Sequence, residues 1–232
     1  MAVGAIGANR HLLSGCGIDW GSGSGVLTIT AAKVTTVRSI VGLELAEEDM
    51  AVARANAAAN GVADKIAFIR ADSFEPFAGQ DREPLEALVG TADFLIANPP
   101  ASQGDDGLGW RRSVLRGALR FVKPGAPLLI QISYQYNVER IARLAQDVPA
   151  YSYEGVIGTS DWVEFDQTRD DLSAQLVEYA EEEAAGGTVY TLKGRTTATE
   201  ALDHYRQTGE SPISKWQMHL FRRDGGDSAI RD

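Results

Sequence analysis

Short apolar blocks alternate with segments of helical spacing along the first 150 residues. Blocks at 15–20, 39–43, 65–70, 92–97 and 128–132 are brief, apolar and bounded by turn residues, the signature of buried strands. Between them, 26–33, 47–60, 111–122 and 138–146 read as helices. Segment 47–60 is the clearest, with acids in its first turn and Gly61 where a C-cap glycine belongs. Segment 26–33 follows suit despite its β-branched residues. Segment 77–90 is polar and contains a proline, leaving room for a short helix at 85–89. Strand and helix alternate five times, which predicts an α/β fold with a doubly wound parallel sheet and right-handed crossovers.

After Pro149 the pattern changes. Residues 151–165 read as one long strand and 216–222 as another with alternating apolar positions, an antiparallel pair at the sheet edge. The intervening 166–215 is longer than a hairpin needs. It holds an acidic amphipathic helix at 170–185, a Gly186-Gly187 break, a short strand at 189–192 and a helix at 199–207, with Glu178 to Glu183 read as a solvated face. Residues 1–13 read as a loose arm or partial helix and 224–232 as a flexible tail. The expectation is one domain over 1–232. Its core spans 14–150, and the whole is expected to form a Rossmann-like, doubly wound, seven-stranded, mostly parallel sheet with an antiparallel edge strand, the insertion at 166–215 lying between the last two strands.

Composition narrows the function classes. The chain has 232 residues, 44% of them hydrophobic, enough for one substantial core. Its net charge of -10 argues against an extensive nonspecific grip on nucleic-acid phosphates. Arg111, Arg112, Arg116 and Arg120 would form one basic helix face, read as a solvated surface. Cys16 is the only cysteine, so no intramolecular disulfide forms, and it reads as a small buried apolar residue. His11, His204 and His219 are too far apart in sequence for metal-ligand spacing. Neither a signal peptide nor a transmembrane helix is visible, so a cytoplasmic protein with no membrane partner and no metal is expected.

Candidate chemistry clusters at strand ends. The sequence D-W-G-S-G-S-G at 19–25 joins the first strand to the first helix, a junction that sets backbone N–H groups and a helix's positive end beside the carboxyl edge of a parallel sheet. A nicotinamide fingerprint would want G-x-G-x-x-G, but the sixth place from Gly21 is Val26. Glu44 ends the second strand, about twenty residues beyond the loop. Asp72 and Ser73 end the third, and Asn98-Pro99-Pro100 ends the fourth. Either acid alone reads equally as a solvated strand-end residue, and two prolines do terminate strands. Together with the loop they read as a ligand site.

In this order the motifs resemble class I S-adenosylmethionine-dependent methyltransferases. More narrowly, they resemble the small-domain group that modifies exocyclic or amide nitrogens, over roughly 14–146. The resemblance implies S-adenosylmethionine as cofactor and S-adenosylhomocysteine as product. It assigns cofactor contacts to Asp19, Gly21, Ser22, Gly23, Glu44, Asp72, Ser73 and Asn98. Glycine at 21 and 23 allows close backbone approach. Asp19 orients the loop or meets the cofactor's amino group, Glu44 accepts from the ribose diol, and Asp72 accepts from the adenine amine. Catalysis falls to Asn98, through its side-chain carbonyl, and Pro99, through its backbone carbonyl, both accepting from the target N–H groups. One departure stands out: Ala101 sits where such enzymes present an aromatic residue, and Trp110, Tyr134, Tyr136 or Trp162 would have to replace it. The acceptor reads first as a nitrogen of an RNA or protein substrate, with a small molecule or natural product as the alternative. A cofactor-binding partner subunit without catalysis of its own is the third reading.

Overall fold

The computed structural model describes residues 2–79, 82–102 and 105–225. Helices and strands follow one another as α1 (Ala2–Ala8), β1 (Gly15–Trp20), α2 (Val26–Ala32), β2 (Val37–Glu44), α3 (Glu47–Ala59), β3 (Ile66–Asp72), β4 (Glu75–Pro76), α4 (Arg82–Glu86), β5 (Phe94–Ala97), α5 (Gly109–Ala118), β6 (Pro127–Ser133), α6 (Val138–Asp147), β7 (Tyr151–Thr159), β8 (Val163–Glu164), α7 (Asp170–Ala184), α8 (Ala198–Thr208), β9 (Ile213–Ser214) and β10 (Trp216–Arg223). Two units emerge: Met1–Gln131 with Leu144–Gly158 and Met218–Asp232, and Ile132–Arg143 with Thr159–Gln217.

The first unit carries the sheet, ordered β4-β3-β2-β1-β5-β6-β10-β7. From β1 the chain winds outward through β2 and β3 on one side and through β5 and β6 on the other, all in parallel register. The order therefore reverses between β1 and β5, and at such a switch point the carboxyl ends open a crevice. Every residue of β5 and β6 is buried, as continuous apolar runs covered on both faces require. The end of β10 bonds the starts of both β6 and β7, through Arg223 with Gly125 and Ala126 and through Asp224 with Ala150, so β10 runs antiparallel between them. The expected mostly parallel sheet with antiparallel strands is thus present. Its eighth strand is β4, two residues folded back on β3, too short to leave a sequence signal.

Three expectations need correction here. Of the two readings of residues 1–13 the partial helix holds, with Ala2–Ala8 helical and a single tight turn at Arg10–Leu12, but the segment is no loose appendage: Ile6 and Leu13 lie fully buried in the core with Ile29 and Phe94. Cys16 is half-buried, its sulfur 3.5 Å from Arg38. The long strand at 151–165 ends at Thr159. The tail from 226 onward lies outside the described residues.

In the second unit, β8 pairs antiparallel with β9. Helix α8 opens on a capping box between Thr197 and Glu200. Residues 189–192 form no strand although Tyr190 and Leu192 are buried, because their donors are taken locally. Tyr190 N bonds Glu183, Thr191 N bonds Gln135 and Leu192 N bonds Thr196. Glu183 also accepts from Ala198 and Thr199, and Glu182 from the Tyr190 hydroxyl, so these two acids are structural, not a solvated face. Tyr136, Tyr179 and Tyr190 pack together with the Tyr136 and Tyr179 hydroxyls 2.7 Å apart, and burial raises the Tyr179 phenol far above its ordinary range.

Candidate functional site

The glycine loop is shaped by backbone conformation. Gly21, Gly23 and Gly25 all have positive φ, at 69°, 52° and 85°, which side chains other than glycine adopt only under strain. The loop is tied to the next strand end: Ser22 N bonds Leu43 O, and Gly23 N donates to Glu44 Oε2 at 2.7 Å. Glu44 Oε1 accepts from the amides of Leu45 and Ala46, at 2.8 and 2.9 Å. One carboxylate therefore holds the end of β2, the start of α3 and the loop in a single arrangement.

At the carboxyl ends of β1, β2, β3 and β5 lies a cavity of about 310 Å³. Its lining joins Gly21, Glu44, Asp72, Ser73 and Asn98 with the apolar Trp20, Leu43, Leu45, Ala71, Pro100 and Trp110. Four strand ends thus bring five residues singled out in the sequence to one wall. Asp72 and Asn98 are exposed, and neither side chain has a hydrogen-bond partner among the described residues. Ser73 is held at φ 55°, an uncommon conformation for a serine, and its Oγ accepts from Trp20 Nε1 at 2.9 Å. Such strain persists only where surroundings enforce it, and it gathers at ligand sites.

Other assigned residues lie elsewhere. Asp19 is wholly buried beneath the loop and does not line the cavity. Its Oδ2 accepts from Thr28 Oγ at 2.5 Å, while Oδ1 has no hydrogen-bond partner among the described residues. Burial, opposed by the Thr28 bond, pushes this carboxyl up to about 7. Ser22 is also buried, its hydroxyl without a partner among the described residues, and Gly23 stands behind Glu44.

Pro99 is the notable case. It is buried, it does not line the cavity, and its carbonyl accepts from Arg111 Nη2 at 2.7 Å. Arg111 Nη1 donates to Pro100 O at 2.5 Å and Gly107 O at 3.1 Å. The single basic face on α5 therefore needs correction. Arg111 is 4% exposed and clamps the loop after β5, Arg112 is paired with Asp106 and Asp147, and Arg120 pairs with Glu86. A periodicity of charge could not reveal that one arginine turns inward. Of the four aromatic residues weighed against the missing one at 101, Trp110, on the first turn of α5, lines the cavity, and its ring lies 6.3 Å from that of Trp20. Trp20 was not singled out; its position between the acid and the first glycine was the available signal.

An adenosine-type ligand with a charged tail fits this donor set. Gly21 lines the cavity, and a Cβ built there would meet nothing within 4 Å, so backbone can approach a ligand closely. Glu44 and Asp72 supply acceptors at adjacent strand ends, and Leu43, Leu45 and Ala71 supply apolar surface for a flat base. Among the described residues no cluster of histidine, cysteine or acidic side chains could hold a metal ion, and no helix is long and apolar enough to cross a membrane.

A family model described as methyltransferase small domain matches residues 8–152. A release factor glutamine methyltransferase of Chlorobaculum tepidum is 34% identical over 84 residues, 36% of this chain and 26% of that protein. A 4-amino-L-phenylalanine/4-methylamino-L-phenylalanine methyltransferase of Streptomyces pristinaespiralis is 26% identical over 140 residues, 51% of this chain and 44% of that protein. The chain thus spans less than half the length of either relative. Among solved structures, the YcgJ protein of Bacillus subtilis superposes with a TM-score of 0.58 at 14% identity, covering 97% of this chain and 99% of that one, a likeness of fold.

Proposed function

We propose that this chain, which belongs to the methyltransferase small-domain family, transfers a methyl group from S-adenosylmethionine to a nitrogen acceptor at the switch-point cavity. The observation that carries this reading is the convergence of Gly21, Glu44, Asp72, Ser73 and Asn98 on one cavity at four strand ends. Glu44, already fixed by three backbone amides, keeps lone pairs for a ribose diol. Asp72, exposed at the end of β3, is available to an adenine amine. Asn98, at the end of β5, presents a side-chain carbonyl to an acceptor N–H. The cofactor supplies a methyl group already activated on a sulfonium, so the protein's work is to position the nitrogen in line with it.

The relatives support two acceptor classes, a protein glutamine in one name and an aromatic amino acid in the other. Burial of Asp19 and Ser22 favours indirect roles for both, shaping the loop from beneath. The test is S-adenosylhomocysteine release against a panel of acceptors, with Asn98→Ala alongside. A drop of about a hundredfold or more in the variant supports the assignment. Cofactor binding with turnover unchanged by Asn98→Ala removes Asn98 from the chemistry.

A further inference from the structure

Trp20 closes β1, between the buried acid and the first glycine of the loop, and it lines the cavity. Parallel register sets it opposite Ala97, the residue before Asn98, on a strand about 5 Å away. The end of β1 and the candidate acceptor-binding side chain are therefore neighbours. Trp20 is 8% exposed, and its indole N–H donates to Ser73 Oγ at 2.9 Å, so the ring is fixed from the end of β3. Ser73 makes this bond from a positive φ of 55°, an uncommon conformation for serine.

A second ring stands beside it. Trp110, on the first turn of α5 and 42% exposed, also lines the cavity, its centroid 6.3 Å from that of Trp20 and its plane tilted by 39°. Planes so tilted form a corner, not a parallel stack. The ionisable residues of the same lining, Glu44 and Asp72, are both acids.

This combination suits a cation that has no N–H to donate. The face of an indole attracts positive charge through its quadrupole, without a hydrogen bond, and tryptophan does so better than tyrosine or phenylalanine. The sulfonium of S-adenosylmethionine is such a cation, whereas S-adenosylhomocysteine carries a neutral thioether at the same place. An aliphatic wall would meet the two alike; an indole face separates them by charge. We propose that Trp20 and Trp110 form an aromatic corner that recognises the sulfonium, and that the corner tilts the site's affinity toward the charged methyl donor and away from its neutral product. The inference rests on the methyltransferase reading above, in which Asn98 holds the acceptor nitrogen and the sulfonium therefore sits at the same end of the cavity. Its consequence is that the hold weakens once donor has become product.

The test is titration calorimetry on the full chain with three ligands: S-adenosylmethionine, S-adenosylhomocysteine, and sinefungin, in which a carbon bearing a protonated amine replaces the sulfonium. Wild type is compared with Trp20→Leu, Trp20→Phe and Trp110→Leu. In each leucine variant the Kd for S-adenosylmethionine should rise about fivefold or more beyond any rise for S-adenosylhomocysteine, and sinefungin should follow S-adenosylmethionine. Trp20→Phe, which keeps a ring, should retain most of the discrimination. Trp110→Leu alters a part-exposed side chain on a helix and keeps the test in force if Trp20→Leu does not fold. Equal losses for the charged and neutral ligands would reduce the rings to an apolar wall and overturn the inference, as would sinefungin following S-adenosylhomocysteine. Failure of folded wild type to bind either S-adenosylmethionine or S-adenosylhomocysteine sinks the underlying reading instead.

Discussion

Asp19 carries a carboxyl that solvent does not reach, answered by a single hydroxyl. Its folded-state pKa, near 7 against an ordinary 3.8, means that the folded protein holds this proton more tightly than the unfolded chain. Stability from this group is then complete below about pH 4 and lost as pH rises toward about 7, a loss of up to about 4 kcal/mol. Asp19→Asn cannot titrate. Its stability relative to wild type should therefore improve by about 2–4 kcal/mol between mildly acid and slightly alkaline pH, measured by chemical denaturation. A pH-independent gap between the two proteins would contradict the assignment. At this scale Glu44, Asp72 and Asn98 were legible as the residues that close three short apolar runs, and the structure brings all three to the lining of one cavity. The sequence did not identify which polar side chains turn inward: Asp19 lies in a buried stretch with Ile18 and Trp20, and Arg111 opens a run of arginines of which Arg116 and Arg120 are exposed, so only packing separates the inward one.

At the scale of elements, β1, β2 and β3 approach closely because glycines leave room for aromatic rings. A Cβ on Gly42 would stand 2.7 and 2.9 Å from ring atoms of Phe68 and 3.2 Å from Ser22 Cβ, directly behind the glycine loop. Gly42→Ala should cost about 1–3 kcal/mol through overpacking and lower the melting temperature by several degrees. An unchanged melting temperature would contradict close packing of Phe68 on Gly42. The strands that pack both faces were legible to within a few residues, β1 at both of its ends, since an apolar run between turn residues has few alternatives. The elements that failed are those whose hydrogen bonds leave the ladder. Residues 189–192 look like a strand by composition but spend their amides on Glu183, Gln135 and Thr196, and β4 is shorter than any periodicity.

For the whole molecule, alternation and handedness make the sheet doubly wound, and the observed strand order fixes where the cavity falls. Strands leaving β1 in both directions open their carboxyl ends at Trp20 and Asn98, and the loop, Glu44 and Asp72 follow around the same edge. A second depression of about 440 Å³, lined by Cys16, Arg38, Asp64 and Lys65, provides an internal control that shares no lining residue with the first. The central claim is that the cofactor occupies the cavity at Gly21, Glu44 and Asp72. Titration calorimetry of S-adenosylhomocysteine into wild type, Glu44→Ala, Asp72→Ala and Arg38→Ala tests it most directly. One-site binding weakened about tenfold or more in the two acid variants, and unaltered in Arg38→Ala, is the predicted result. Affinity preserved in both acid variants, or lost only in Arg38→Ala, would contradict it.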